Sequence, residues 1–449
     1  MKNKLKTLAI GAATLAALST TAHAQSADAI IDKLVDKGIL TVKEAQDLRD
    51  EADKNFTTAF ASKTGMSDWV TALKFNGDVR GRFEGFYGEN PLFVKRDRLR
   101  YRVRFGVTAT LMDDFEVGFK LTSGEPGTGN GYTGTGGDPI SGNTTFADNG
   151  SKKLIYFDQA YAKWTPFKGP DFTGSFTLGK MENPFVVSDM VFDGDYTPEG
   201  LAAQLGYRFN DKHVLKLNGG WFVLDENSGT LQDPYFFGAQ IRWDAAWNSK
   251  FSSTAGLTAL AMQNAGTLLN SSVPNISRGN ARLANGEPTY AHNPIIVDAA
   301  VTYKLDSFPF YTGAFPIKVG GEYMNNPAAP SKADNYGYNA GVTFGKAGKR
   351  HTWELSYTWK YLGADSQWEE LTDSDFGAYY QTALSHDGFS GGGYSSGTNV
   401  KGHIVKFAYS PTDSLTLSAK WFNTSLINPS PTSSKSGMDR IQVDALWKF

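Results

Sequence analysis

The chain has 449 residues, of which 40% are hydrophobic and 13% are aromatic, and its formal net charge is −2. Its mean hydropathy of −0.36 is too low for a bundle of membrane helices, because each such helix needs about 20 consecutive apolar residues. The lack of cysteine excludes disulfide scaffolds, thiolate metal sites and thiol nucleophiles, and the near-neutral charge argues against a nucleic-acid-binding protein. A chain that is rich in glycine and aromatic residues but only modestly hydrophobic can instead form one large β-barrel.

The first 24 residues have the pattern of a secretory signal peptide. Three lysines within the first six residues precede an apolar segment from Leu8 to Leu18, and an Ala-His-Ala cleavage site ends at Ala24. We therefore expect residues 1–24 to be a signal peptide and the mature protein to be exported.

Residues 25–58 predict a short helical hairpin in the periplasm. Apolar residues recur at helical spacing from Ile30 to Val35, Gly38 interrupts them, and the segment Thr41–Glu44 forms a capping box for a second helix. Two short amphipathic helices cannot bury their apolar faces alone, so they must pack on the rest of the chain or between subunits. A similarity to half of a surface-layer-homology repeat also leaves open a contact with the cell wall through residues 26–55.

From Thr71 onward, apolar residues alternate with polar ones. The clearest segment runs from Arg98 to Leu111, where the apolar side chains alternate with arginine, glycine and threonine. This pattern indicates strands with water on one face and an apolar medium on the other. It predicts sixteen strands of the length that crosses a bilayer, at 72–87, 97–111, 114–123, 153–165, 172–181, 200–209, 213–224, 235–247, 251–262, 294–306, 315–325, 335–346, 351–363, 399–410, 414–427 and 438–449.

The predicted connections alternate between short turns and long loops, which is typical of an outer-membrane barrel with its short turns in the periplasm. The short turns are 112–114, 210–212, 248–250, 346–350 and 411–413, and the notably long segments are 124–152, 182–199, 263–293 and 364–398. One connection, 307–314, is long for a periplasmic turn.

Aromatic residues lie near the predicted strand ends, as the interfacial girdles of such a barrel require. At the periplasmic ends they are Trp164, Phe209, Trp243, Trp247, Phe344 and Trp447, and at the outer ends they are Tyr87, Trp221, Tyr323, Tyr361 and Trp421. The last strand ends on Phe449, which resembles the terminal signal by which outer-membrane barrels are recognised for assembly. These features predict an all-β, transmembrane antiparallel barrel of about sixteen strands over residues 59–449, in contact with the lipid of a Gram-negative outer membrane.

Several segments resemble bacterial porins. Residues Asp158–Tyr161, followed by Leu178–Phe185, resemble the strand–turn–strand block of porins, and the segments 340–345, 353–357 and 371–376 resemble the "putative porin" family. The resemblance covers about residues 60–449. It implies a sixteen-stranded channel, commonly a homotrimer, with the loop after the fifth strand, here 182–199, folded inward.

The candidate functional residues are charged side chains on the inward faces of the first two strands and on that loop. The basic ones are Arg80, Arg82, Arg98, Arg100, Arg102 and Arg104, and the loop offers Glu182, Asp189, Asp193, Asp195 and Glu199. A hairpin centred near Leu92 would place Arg82 opposite Arg102 and Glu84 opposite Arg100, and opposed like charges need screening. A basic wall that faces an acidic loop predicts a charged constriction with a transverse field, as the porin resemblance suggests.

The function that follows is passive diffusion of small hydrophilic solutes and ions, without catalysis or a cofactor. Sixteen strands leave a water-filled channel, whereas about eight fill their own interior. The arginines leave open a substrate-selective channel for anions such as phosphate, or a hydrated lumen face with no selective role. A structural barrel that tethers the envelope is a further alternative. An outer-membrane enzyme is disfavoured because no catalytic cluster is visible.

Other chemical motifs are weak. A G-x-G-x-x-G match at 129–134 is followed by no helix pattern. The acidic segments 193–195 and 373–375 could contribute to a loop calcium site, although solvated loop residues explain them as well. The histidines after the signal peptide lack the spacing of a zinc site, being His213, His292, His351, His386 and His403.

Overall fold

The computed structural model describes residues 67–90, 95–127, 136–227, 229, 231–268, 278–377, 396–429 and 435–449. The predicted signal peptide and helical hairpin, together with the glycine-rich match at 129–134, lie outside these ranges. The chain divides into a unit that ends at Ala72, of which residues 67–72 are described, and a unit from Leu73 to Phe449 that contains the barrel. Within the described residues, no helix has the length and apolar character needed to cross a membrane.

Seventeen strands follow one another along the described residues. Sixteen of them match the predicted strands, with ends that differ by at most three residues, and the additional strand β4 has two residues. The bounds are β1 Val70–Gly88, β2 Arg96–Leu111, β3 Phe115–Ser123, β4 Thr144–Thr145, β5 Ile155–Lys168, β6 Phe172–Lys180, β7 Glu199–Asn210, β8 His213–Val223, β9 Tyr235–Ala246, β10 Phe251–Gln263, β11 Ile295–Leu305, β12 Phe315–Asn325, β13 Tyr336–Gly345, β14 Thr352–Leu362, β15 Val400–Ser410, β16 Leu415–Leu426 and β17 Met438–Lys448.

The sixteen long strands form one closed antiparallel barrel. Strand β17 pairs with β1 from Asp78 opposite Lys448 to Gly88 opposite Met438, and β1 also pairs with β2. Closure gives every long strand two neighbours, which removes the unpaired edges of an open sheet. The predicted fold class is therefore confirmed for the described residues.

The alternation in the sequence separates an apolar outer face from a polar inner face. On β10, Leu257 is 46% exposed, whereas its neighbour Thr258 is completely buried. The exposed outer side chains include all six aromatic residues predicted for the periplasmic girdle, and also Trp221, Tyr323 and Trp421 of the outer one. Apolar side chains remain exposed in this way when the medium that surrounds them is lipid.

The connection between β11 and β12 is held by aromatic packing. Phe308 stacks on Phe315 with ring centroids 4.2 Å apart, and Phe315 packs on Trp353 of β14 at 5.0 Å. A backbone bridge between Phe308 and Tyr311 closes the connection. The unusual length of this short-end connection therefore accommodates an aromatic cluster.

The largest apolar cluster lies inside the barrel. Phe222 is buried while its neighbour Trp221 is exposed, so Phe222 faces the interior, where it packs on Phe185 and Phe236. Phe185 belongs to the segment 181–198 between β6 and β7, which is therefore folded into the barrel. Trp368, between β14 and β15, belongs to the same cluster. Chain from two long connections thus occupies part of the lumen.

Candidate channel and its charged wall

All six predicted arginines lie on β1 and β2, and we call this set the arginine wall. They occupy alternate positions, and side chains two residues apart on a strand share a face. Arg82, Arg100 and Arg102 are buried. A further buried arginine, Arg440 on β17, joins them across the seam where the barrel closes. The sequence analysis missed Arg440, although its position two residues before Gln442 on the inward face of the last strand carried the same alternation.

Glu84 neutralises part of the arginine wall by pairing with two of its arginines. This carboxylate is completely buried and lies 2.5 Å from Arg98 and 3.8 Å from Arg100. Arg440 donates hydrogen bonds to Glu84 from both Nε and Nη2, and Gln442 donates another at 2.8 Å. Arg98 and Arg100 of β2 therefore both contact Glu84, and Arg98 lies closer to it than Arg100, the residue that a hairpin centred near Leu92 would place opposite it.

Asp78, also on β1, neutralises Arg102 and Arg104 in the same way. It accepts hydrogen bonds from Arg102 at 3.0 Å and from Arg104 at 2.7 Å. The expected opposition of like charges is relieved, because the strand carboxylates Glu84 and Asp78 lie between the arginines. Arg80 differs from the others: it donates a hydrogen bond to Asn143 at 2.6 Å, and no carboxylate of the described chain forms an ion pair with it.

Residues 181–198, which we call the first inward segment, reach the arginine wall through Asp195. Asp195 lies 2.8 Å from Arg102 and 3.3 Å from Arg104. Burial alone would raise the pKa of Asp195, but the two guanidinium groups outweigh it and lower the pKa below its usual value. This carboxylate is therefore ionised, as an electrostatic anchor requires.

The first inward segment is also attached to the opposite side of the barrel. Asp189 accepts a hydrogen bond at 2.6 Å from Lys360 on β14, and Ser188 donates one at 2.5 Å to Glu322 on β12. Because β2 and β14 lie on different sides of the barrel, these contacts carry the segment across the lumen. The remaining predicted carboxylates, Glu182 and Glu199, are exposed, and Glu199 pairs with Lys180 on the neighbouring strand instead of with the arginine wall.

Residues 363–377, which we call the second inward segment, were not expected to fold inward. Asp375 lies 3.2 Å from Arg82 and 2.7 Å from Arg440. Burial alone would raise the pKa of Asp375, but these two arginines outweigh it and hold the pKa well below its usual value. Asp373 lies 3.0 Å from Lys360, which also pairs with the first inward segment. The only earlier signal was the resemblance of residues 371–376 to a porin family.

The two inward segments are bonded directly to each other. Asp193 donates its backbone N–H to the carbonyl of Leu371 at 2.7 Å, and its carboxylate accepts the N–H of Ser374 at 2.7 Å. Burial raises the pKa of Asp193 well above its usual value, and the adjacent Asp195 raises it further. The acidic segments 193–195 and 373–375 thus meet. Within the described residues, however, no three acidic or histidine side chains form a group that could hold a metal ion.

A third segment, residues 278–282, is clamped onto the second inward segment by Glu369. This completely buried carboxylate lies 2.6 Å from Arg282 and accepts the backbone N–H groups of Arg278 and Asn280 at 2.7 and 2.9 Å. Asn280 in turn donates to the carbonyl of Gln367 at 2.8 Å. The long connections therefore form one hydrogen-bonded assembly inside the barrel.

A cavity of about 570 Å³ remains between the arginine wall and the second inward segment. Its wall includes Arg104 on one side and Glu370 on the other, and Lys180, Asp195 and Glu199 also line it. Apart from Arg104, in the middle of β2, the strand residues that line it lie at the ends next to the long connections. The lumen is therefore partly filled but retains a polar space at the long-loop end.

The chain is similar to a protein family and to several solved structures. Residues 89–293 match the family model described as "putative porin". No curated protein sequence matches the chain. Among solved structures, the barrel is similar to a triple mutant of the porin of Rhodopseudomonas blastica, at 11% identity over 84% of this chain and 100% of that one, with a TM-score of 0.40. It is also similar to OprB of Pseudomonas putida, at 11% identity over 87% of this chain and 97% of that one, with a TM-score of 0.47.

The family match and the barrel lead to the same conclusion. A closed sixteen-stranded barrel with an apolar outer face and a polar interior is the architecture of an outer-membrane channel. The prediction that the chain is not an enzyme agrees with the family, since porins are channels. Residues 89–293 match the "putative porin" family model, and this match agrees with the outer-membrane channel that the closed barrel indicates.

Proposed function

We propose that the chain forms a water-filled channel for passive diffusion of small hydrophilic solutes and ions. The observation that carries this proposal is the attachment of two inward segments to the arginine wall, through Asp195 and Asp375. The inward segments fill only part of the lumen, because a cavity of about 570 Å³ remains beside Arg104. The arginine wall and the two inward segments together form the charged constriction of the proposed channel.

The charges of this constriction are arranged to act across the channel. Arg82, Arg102 and Arg104 belong to the barrel wall, whereas Asp195 and Asp375 belong to the inward segments that face it. A field between a basic wall and an acidic segment orients polar solutes and disfavours apolar ones, because apolar solutes gain nothing from the field and displace ordered water. The hydrogen bonds to rigid strands keep these charges in place, so the field needs no rearrangement when a solute enters.

Single-channel recording in planar bilayers tests the proposal. The refolded protein should produce stepwise conductance that rises in proportion to the salt concentration. A protein that inserts into the bilayer but conducts no ions would disprove a diffusion channel.

A substrate-selective channel for anions such as phosphate is the second candidate function. The observation that favours it is Arg80, whose guanidinium has no ion pair within the described chain. The other arginines of the wall are largely neutralised by carboxylates, which is why we place this function second. Conductance that saturates with phosphate concentration, and is blocked by it in chloride, would favour this candidate over the general channel.

We also propose that the porin is a homotrimer and that residues 25–58 form a periplasmic helical hairpin. The porin fold supports the first statement, and the sequence pattern of the hairpin supports the second. A tether to the cell wall through residues 26–55 remains an alternative role for this hairpin. Deletion of residues 26–55, followed by separate measurements of conductance, subunit number and cell-wall association, distinguishes these roles.

A further inference from the structure

The cavity beside the arginine wall is lined mainly by carboxylates, and we call it the acidic cavity. Arg104 and Asp195, which both line it, neutralise each other in an ion pair. Beyond that pair the lining contains one lysine, Lys180, and six carboxylates, namely Asp138, Asp158, Glu199, Asp225, Glu226 and Glu370. Lys180 pairs with Glu199 at 3.1 Å. The lining therefore keeps a surplus of negative charge even though the constriction beside it is nearly balanced.

Glu370 is the carboxylate whose surroundings point to a ligand. It is only 5% exposed, and its Oε1 atom accepts no hydrogen bond from the described part of the chain. A buried carboxylate oxygen without a partner is costly, since it has lost water and gained nothing in exchange. Glu370 lines the acidic cavity, so a positive group that enters the cavity comes close to this poorly compensated carboxyl group.

The charges around Glu370 support this role. Burial raises the pKa of Glu370 well above its usual value, the positive charge of Arg278 opposes this shift, and Glu369 adds to it. Asp138 also acts to raise the pKa, and Arg282 to lower it. A cation that approaches the carboxyl group favours its charged form and so opposes the effect of burial.

The shape and lining of the acidic cavity suit an organic cation. Its volume of about 570 Å³ exceeds what a hydrated metal ion alone requires. Tyr156 and Tyr196 also line it, and aromatic faces attract ammonium groups through their quadrupoles. We propose that the acidic cavity is a cation-selecting vestibule that binds small organic ammonium solutes before they reach the constriction.

This proposal rests on the proposed diffusion channel and adds a preference to it. Swelling of proteoliposomes in L-lysine, L-glutamine and L-glutamate provides the test, because these solutes are similar in size and differ in charge. The wild-type channel should admit lysine faster than glutamine and glutamine faster than glutamate. Glu370→Gln should lower the ratio of lysine to glutamine entry by about twofold, the scale of one charge acting across several ångströms of a wet site.

A second variant protects the test against misfolding. Glu226 lines the same cavity but is exposed, so Glu226→Gln should fold normally and lower the same ratio. Asp211→Asn, an exposed carboxylate in the short turn between β7 and β8, is the matched control and should leave the ratio unchanged.

The outcomes separate the two proposals. If glutamine enters but lysine enters no faster, or if neither cavity variant changes the ratio, the cation-selecting vestibule is refuted and the channel stands. If no solute enters at all, the diffusion channel itself fails.

Discussion

Arg102 on β2 donates a hydrogen bond to Asp195 of the first inward segment, with 2.8 Å between Nη1 and Oδ1. The two residues are far apart in the chain, and the contact forms only because the segment turns into the barrel. Arg102 also binds Asp78 of β1 at 3.0 Å, so one guanidinium joins the barrel wall to the segment that narrows the lumen. We therefore expect a change at Arg102 to affect both the ion selectivity of the channel and the position of the first inward segment.

Neutralising the arginine wall should shift ion selectivity toward cations. In Arg100→Gln and Arg102→Gln the partner carboxylates Glu84 and Asp195 lose a positive neighbour, so the local charge becomes more negative. Reversal potentials in a KCl gradient across planar bilayers measure the change. Arg350→Gln, in an exposed turn, is the control. Reversal potentials that do not move in either wall variant would show that the wall has no selective role.

Asp195→Asn should shift selectivity in the opposite direction, toward anions. The amide keeps the shape of the side chain but frees the charges of Arg102 and Arg104. The double variant Arg102→Gln/Asp195→Asn restores the net charge, and its reversal potential should return toward the wild-type value. A double-variant shift equal to the sum of the two single shifts would show that the two residues act independently and would contradict a direct interaction.

Breaking the Glu369–Arg282 ion pair should release residues 278–282 from the second inward segment. Removal of one partner of a buried pair costs about 3–5 kcal/mol, because the other charge stays buried without compensation. Glu369→Gln should therefore make the folded porin sensitive to trypsin at Arg278 and Arg282. The conservative variant Glu287→Gln changes a carboxylate in the same connection that takes no part in the Glu369–Arg282 ion pair, and it should remain as resistant as the wild type.

The packing of the second inward segment should weaken as the pH rises to about 7. Burial raises the pKa of Asp365 to about 7, although the N–H of Ala281, which its carboxylate accepts, opposes this. A carboxyl group with a raised pKa binds its proton more tightly when folded. The contribution of Asp365 to the stability of the folded segment is therefore fully present below about pH 4 and is lost progressively up to pH 7.

Open-channel noise measures this pH effect. The noise should be greater at pH 8 than at pH 5.5, and Asp365→Asn, which stays neutral throughout, should reduce the difference. Noise that depends on pH equally in the wild type and in Asp365→Asn would assign the effect to other groups.

Charge on the lipid face should prevent assembly, whereas charge on the inner face should not. Val301 on β11 is 43% exposed on the apolar outer side, and the adjacent Thr302 points inward. An arginine at the bilayer midplane of such a barrel costs about 2–4 kcal/mol. Val301→Arg should thus lower the yield of folded, heat-modifiable barrel on gels. Thr302→Arg should give a yield close to that of the wild type. Equal yields would show that this face does not contact lipid.

The fold was predictable from local pattern. Alternation with period two, as between Leu257 and Thr258, identified all sixteen long strands, because each strand has lipid on one face for its whole length. The short two-residue strand β4 was not predicted. The backbone of β4 pairs with Arg100 and Tyr101 of β2, beyond the end of the pairing between β2 and β3. Because β4 has only two residues, no alternation can appear in its sequence.

The candidate site was predictable only in part. The arginine wall followed from the same alternation, and the acidic loop followed from a resemblance to porins. Arg440 and Asp375 were missed because they reach the wall from the last strand and from a distant connection. The predicted pattern placed Arg100 opposite Glu84, and the structure adds Arg98 as a closer partner of this carboxylate.

The sequence by itself determined the barrel, its lipid face and the positions of the inward arginines, since these depend on neighbouring residues and on the medium around each strand. Only the tertiary structure decided which carboxylate neutralises which arginine. Ion pairs such as Arg102–Asp195 and Arg82–Asp375 join residues that are remote in the chain, and they form because long connections fold into the lumen to bury Phe185 and Trp368. Periodicity along a strand carries no information about such contacts, because they are set by the closure of the barrel and the packing within it.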